Sequence, residues 1–148
     1  MNPRQRQLRF QRLRHLEQQK LDRLAGLARV AAERAERGRA RVSEAEAQFE
    51  QSLREASGRP ELVDQLFAWE RRAQQEINSL REQLQKLLNE LAQARKAVEQ
   101  QQNRVRAWDK LLERLDEEAR AFEASIELRR ADEAYLQKQM RLRKEQAS

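Results

Sequence analysis

Between residues 63 and 140, apolar side chains return at alternating steps of three and four. The series opens with Val63 and Leu66 and runs through Ile77, Leu80, Leu84, Leu87 and Leu91. It continues to Trp108, Leu115, Phe122, Ile126, Leu136 and Met140. Of 23 positions on this repeat 19 are apolar; Glu70, Gln101, Arg129 and Glu133 are the exceptions, and the phase never slips. A strict seven-residue repeat on an α-helix gives a narrow stripe that winds left-handed around a partner. Neither proline nor glycine interrupts the stretch. At about 1.5 Å per residue it predicts one helix longer than about 100 Å.

An earlier helix has a seam of its own. Asn2 suits a cap and Pro3 the first helical position. From Leu24 the seam runs through Ala28, Ala31, Ala35, Gly38, Val42, Ala45, Phe49, Ser52 and Ala56. Upstream it continues less regularly through Phe10, Leu13, Leu16 and Leu21. Lys20 falls where the repeat wants an apolar group, which predicts a local phase shift.

Ser57-Gly58-Arg59-Pro60 is the one convincing break. Gly58 can take the left-handed conformation that ends a helix, and Pro60 can restart one. So short a connection predicts antiparallel helices. A register in which facing residue numbers sum to about 118 sets Phe49 beside Trp69 and Phe10 beside Trp108. In it Ala31 meets Leu87, Ala35 lies near Leu84, Gly38 meets Leu80, Leu24 meets Ala94 and Leu13 meets Val105. Small faces large in most layers, as native packing density requires. The fold class is therefore all-α, a two-helix antiparallel coiled-coil hairpin in a single domain over residues 1–148. Its first helix covers about 3–56, its turn 57–60 and its second helix about 61–145.

The helices are unequal. The first runs out at Pro3, opposite Leu115, so a long C-terminal single-helix overhang should begin at about Asp116. Its seam still carries Ala119, Phe122, Ile126, Leu136 and Met140, with Tyr135 beside it. A lone helix gains little from a seam facing water, which predicts a partner there. Fraying, or a homodimer through the overhang, is the alternative.

Composition supports a coiled coil. With 39% hydrophobic and 38% charged residues, the chain is too thin in apolar groups for a globular core. It has no cysteine, which fits a reducing compartment. No segment approaches the roughly 20 apolar residues that span a bilayer. The basic N-terminus lacks the apolar core of a secretory signal. The net charge of +6 is uneven: residues 1–41 hold 12 Lys or Arg against 4 acids, whereas residues 114–148 hold 8 of each. A basic arm of this kind meets acidic protein, nucleic acid or lipid headgroups.

No catalytic chemistry is legible, and the expectation is a protein that is not an enzyme and uses no metal or cofactor. His15 is the only histidine and has no companion. Glu117/Glu118 and Asp132/Glu133 are ordinary polar faces, and no Gly-rich phosphate loop is present. Arg4, Arg6, Arg9, Arg12, Arg14 and Arg23 could contact phosphates. Acids scattered elsewhere and the lack of interleaved aromatic groups argue against nucleic acid as a partner. A basic helical arm on nucleic acid or an anionic membrane surface is the further alternative. Near the turn, Phe49, Phe67 and Trp69 either close the end of the coiled coil or form a docking anchor.

The run Arg104-Val105-Arg106-Ala107-Trp108-Asp109-Lys110-Leu111-Leu112, with Arg130-Ala131-Asp132-Glu133-Ala134-Tyr135 further on, resembles the FliJ family of flagellar type III export. Length, the shorter first helix and the early Phe10 fit as well, so the likeness covers essentially the whole chain. The injectisome counterpart, the YscO family, is similar in architecture and around Gly58-Arg59-Pro60. The resemblance implies a cytoplasmic stalk, peripheral at the membrane's cytoplasmic face, like the two-helix shaft of rotary ATPases. Its implied partners are the export ATPase hexamer, a membrane-embedded export-gate protein and export chaperones. For the ATPase ring it points to Arg4, Arg6, Arg9, Phe122, Ile126, Arg129, Arg130, Asp132, Glu133, Tyr135 and Leu136. For the export gate it points to Phe49, Trp69 and Ala73, although Glu76 and Leu80 depart from the family pattern.

Overall fold

The computed structural model describes residues 2–147. Helix α1 spans Pro3–Ser57, a 3-10 turn covers Pro60–Leu62, and helix α2 spans Val63–Ala147. The protein is all-α, and its two helices pack against each other.

Local chemistry explains both ends of α1. The Gln5 backbone N–H donates to Asn2 Oδ1 at 2.9 Å, and the Asn2 N–H donates to Gln5 Oε1 at 3.3 Å. This reciprocal box satisfies two donors that the first turn leaves open. At the other end no described residue has a positive φ, glycines included, so Gly58 does not supply the left-handed cap expected of it. The Ser57 hydroxyl donates to the Arg54 carbonyl at 2.9 Å, and the Arg59 N–H to the Ala56 carbonyl at 3.0 Å. Arg59 itself is extended, at φ −130 and ψ 87. Pro60 crowds the residue before it out of the helical region.

The chain divides into two compact units. The turn unit is residues 20–102; the terminal unit is residues 1–19 with 103–148.

In the turn unit, Ala35, Gly38 and Val42 of α1 are buried, as are Ile77 and Leu91 of α2. A Cβ built on Gly38 would lie 3.0 Å from Leu87 Cδ1, 3.3 Å from Leu84 Cδ1 and 3.8 Å from the Leu84 Cα. Gly38 therefore faces Leu84 and Leu87, four and seven residues beyond the expected Leu80. Without a side chain at 38, the backbone of α2 approaches closely and two leucines close over the gap. Phe49 and Trp69 pair as expected, stacked at 5.4 Å and 13°. Arg81 pairs with Glu46 at 2.8 Å. Partner numbers fall as α1 numbers rise, the order of antiparallel packing. The inward steps run unbroken through Leu21, Leu24, Ala28, Ala31 and Ala35, and Lys20 is exposed. The predicted phase shift is absent because Leu21, not Lys20, holds the strict position.

In the terminal unit the inward positions of α1 are Gln7, Phe10, Arg14 and Glu17, all half-buried. Leu13 and Leu16 are exposed, and the covered positions that hydropathy assigned to them are held by Arg14 and Glu17. Helix α2 contributes Val105, Leu115 and Ala119, all buried. Phe10 packs on Trp108 at 5.7 Å with the rings tilted by 48°. Ion pairs flank this contact: Arg14–Asp109 at 2.9 Å and Arg104–Glu17 at 3.7 Å.

The overhang begins later than Asp116. Arg4 reaches Asp116 at 2.9 Å and Glu123 at 2.7 Å, and Ala119 is 0% exposed. One long guanidinium side chain thus carries the contact about two turns further along α2. From residue 124 to 147 every residue is exposed except Ile126 and Gln139, which are half-exposed.

Candidate functional site

Three surfaces stand out, and each follows from where the seven-residue repeat leaves apolar groups uncovered.

The first is the tail of α2 in the terminal unit. Phe122, Leu128, Tyr135, Leu136, Met140 and Leu142 are exposed, with Tyr135 at 62%. Phe122, Leu136 and Met140 lie on the inner series, and Leu128, Tyr135 and Leu142, spaced by seven, form a second stripe about 100° round the helix from it. Arg129, Arg130, Asp132 and Glu133 are exposed among them, and Ile126 is half-buried. Arg6 and Arg9 are exposed on α1 of the same unit. Arg4 is not a free cation: its guanidinium is committed to Glu123 and Asp116. Those hydrogen bonds hold both carboxyls below the usual carboxylate range and push Arg4 above its own ordinary value.

The second surface is beside the turn. Phe49 and Trp69 stack on each other and are half-buried, and Ala73 is half-buried one turn further on. Phe67 is not part of that stack and is largely exposed in the first turns of α2. The stack closes the α1–α2 packing, while Phe67 is the aromatic group that remains for a partner.

The third surface has no counterpart in the hydrophobic reading above. The residue before each inward position of α1 faces water. In the turn unit these are Lys20 and Arg23, then Leu27 and Val30, then Arg34, Arg37 and Arg41. Leu27 is 62% exposed and Val30 46%. In the terminal unit Arg6, Arg9, Leu13 and Leu16 stand in the same relation to Gln7, Phe10, Arg14 and Glu17. The signal was present in the sequence as a second three-and-four series, one residue out of step with the first. Assigning Leu13 and Leu16 to the inner seam concealed it.

Among the described residues no group of His, Cys, Asp and Glu could hold a metal ion. His15 is exposed, its Nε2 3.2 Å from the Gln19 amide. No helix among the described residues is long and apolar enough to cross a membrane. Comparison with family models, with curated proteins and with solved structures finds no match.

Proposed function

We propose that this chain is a non-enzymatic stalk and chaperone-escort component of bacterial flagellar type III export, of the FliJ kind, acting at the cytoplasmic face of the membrane. In this reading the two helices form an antiparallel coiled-coil hairpin. The tail beyond Glu123, with Arg6 and Arg9, enters the export ATPase ring and promotes its assembly. Phe49, Trp69 and Ala73 meet the export gate, with export chaperones as further partners. An injectisome stalk of the YscO kind would use the same surfaces; an adjacent flagellar or injectisome ATPase reading frame separates the two.

The observation that supports this reading is the bare apolar surface of the tail, where Phe122, Leu136 and Met140 line one stripe and Leu128, Tyr135 and Leu142 a second. A helix retaining Tyr135, Leu136 and Met140 in water, beyond the reach of α1, has a surface suited to being gripped. The test compares the full chain with a truncation after Glu123, each added to purified export ATPase. ATP hydrolysis and ring assembly, followed by sedimentation, should rise with the full chain and not with the truncated one. Equal stimulation by both discards the ring-end assignment, and none by either discards the stalk.

A further inference from the structure

We propose that the outward series of α1 in the turn unit is a docking seam for a third helix. The partner protein supplying it presents an apolar pair bracketed by Asp or Glu. Two features carry this, spacing and charge.

The inward series keeps strict steps through the unit, so the residue before each inward position holds a constant angle of about 100° from the α1–α2 contact. A partner helix with the same repeat can therefore follow the series without drifting off it. Leu27 and Val30 offer it a pair of apolar knobs of the spacing that helices interlock. Lys20 and Arg23 lie on one side of that pair, and Arg34, Arg37 and Arg41 on the other. None of these five cations shares an ion pair among the described residues. No acid occupies the series until Glu44 ends it.

The occupant is narrow and acidic rather than a broad polyanion. The turn unit holds 15 Lys or Arg against 14 Asp or Glu, so its excess charge is only one. Nucleic acid or a lipid surface senses charge over a Debye length of about 8 Å. It would meet Asp22, Glu33 and Glu36 along with the cations. A helix laid along the series meets mainly cations and the Leu27–Val30 pair, with Glu33 the one acid at its flank.

The experiment uses the full chain and a fluorescent three-heptad peptide with a central Leu pair and Glu pairs on either side at the three-and-four spacing. A second peptide has identical composition with the Leu and Glu residues permuted off that spacing. The first should bind at least about tenfold tighter by anisotropy. An Arg34→Glu/Arg37→Glu chain should lose about tenfold, and so should a Leu27→Ser/Val30→Ser chain, with helicity by circular dichroism unchanged. If the serine chain loses helicity, Leu27→Ala/Val30→Ala replaces it. The proposal is overturned by equal affinity for the two peptides or by no binding of either. It is equally overturned by tighter binding to phosphatidylserine vesicles or polyuridylate that the same charge variant abolishes. The seam shares no residue with the tail, so its failure leaves the stalk reading standing.

Discussion

In the turn unit the inward positions of α1 include Ala31, Ala35, Gly38 and Val42, and Leu84 and Leu87 of α2 close over Gly38. In the terminal unit they are Gln7, Phe10, Arg14 and Glu17, while α2 supplies Val105, Trp108 and Leu115. The spacing is the same; the chemistry is not. Small residues at these α1 positions allow close backbone approach, which makes stability, while Gln101 of α2 is buried in the same unit. Polar inner groups give up burial but restrict which partners they accept, because Arg14 needs Asp109 and Glu17 needs Arg104. The half with small inner residues on α1 sits where the chain turns back on itself. The polar half leads to Arg4, where intrachain contact ends and the bare tail begins.

The largest test of this contrast is Leu91→Ala in the turn unit. Leu91 is buried, and truncating a buried leucine costs about 2–5 kcal/mol by lost transfer energy and the cavity left behind. Urea unfolding followed by helicity should register that loss. A cost near that of an exposed substitution would show that the turn unit is not the more tightly packed half.

Glycine provides the next test, with opposite signs at two positions of one helix. At Gly38 a leucine would drive its side chain into Leu84 and Leu87, and overpacking of this kind costs about 1–3 kcal/mol. At Gly26 nothing lies within 4 Å of a built Cβ, so Gly26→Ala should stabilise by about 0.5–1 kcal/mol through helix propensity alone. Thermal melts of the two variants should move in opposite directions. If both fall, Gly26 is under a constraint that its open surroundings do not explain.

Helix boundaries and the ring pairs were readable because each rests on strong, local or distinctive signals. Asn2-Pro3 and Pro60 leave few backbone options, and Phe10, Phe49, Trp69 and Trp108 are scarce enough to pair. The Gly38 partner was missed because glycine has no side chain to set a layer, so the uniform register had nothing to correct it. Leu13 and Leu16 were misassigned because hydropathy alone cannot tell an inward leucine from one on a second face. Arg14 and Glu17 gave no hydrophobic signal for the inner positions they hold. The start of the tail depended on the reach of one arginine side chain, which backbone periodicity does not encode.

A smaller effect belongs to the Arg4 clamp. Hydrogen bonds from Arg4 lower the folded-state pKa of both Asp116 and Glu123. A lowered carboxylate pKa contributes stability that is present above the unfolded value of about 4 and is lost as pH falls through the folded value. Protection of the amides in the first turns of α1, measured against the intrinsic exchange rate at each pH, should therefore fall below about pH 4. In Arg4→Ala those amides should already exchange fast at neutral pH, with no such acid step. An acid step that survives in Arg4→Ala would assign it to other carboxylates and detach the clamp from the end of the contact.

The smallest effect on stability is expected where the effect on function should be greatest. Tyr135 and Leu136 are 62% and 60% exposed, and neither helps to hold α1 against α2. Tyr135→Ala and Leu136→Ala should leave the urea midpoint within about 0.5 kcal/mol of the parent, as exposed substitutions away from packed groups do. Their helices lose only apolar surface that water already covers. If the tail exists to be covered by another molecule, that same surface becomes buried on binding, and each truncation then removes its share of the interface. Stimulation of the export ATPase should drop for both variants while Leu91→Ala, once refolded below its midpoint, retains it. Unchanged stimulation with unchanged stability would mean that the exposed face of the tail is idle. The contrast between a half built for itself and a half built for a partner would then fail at the residues that define it.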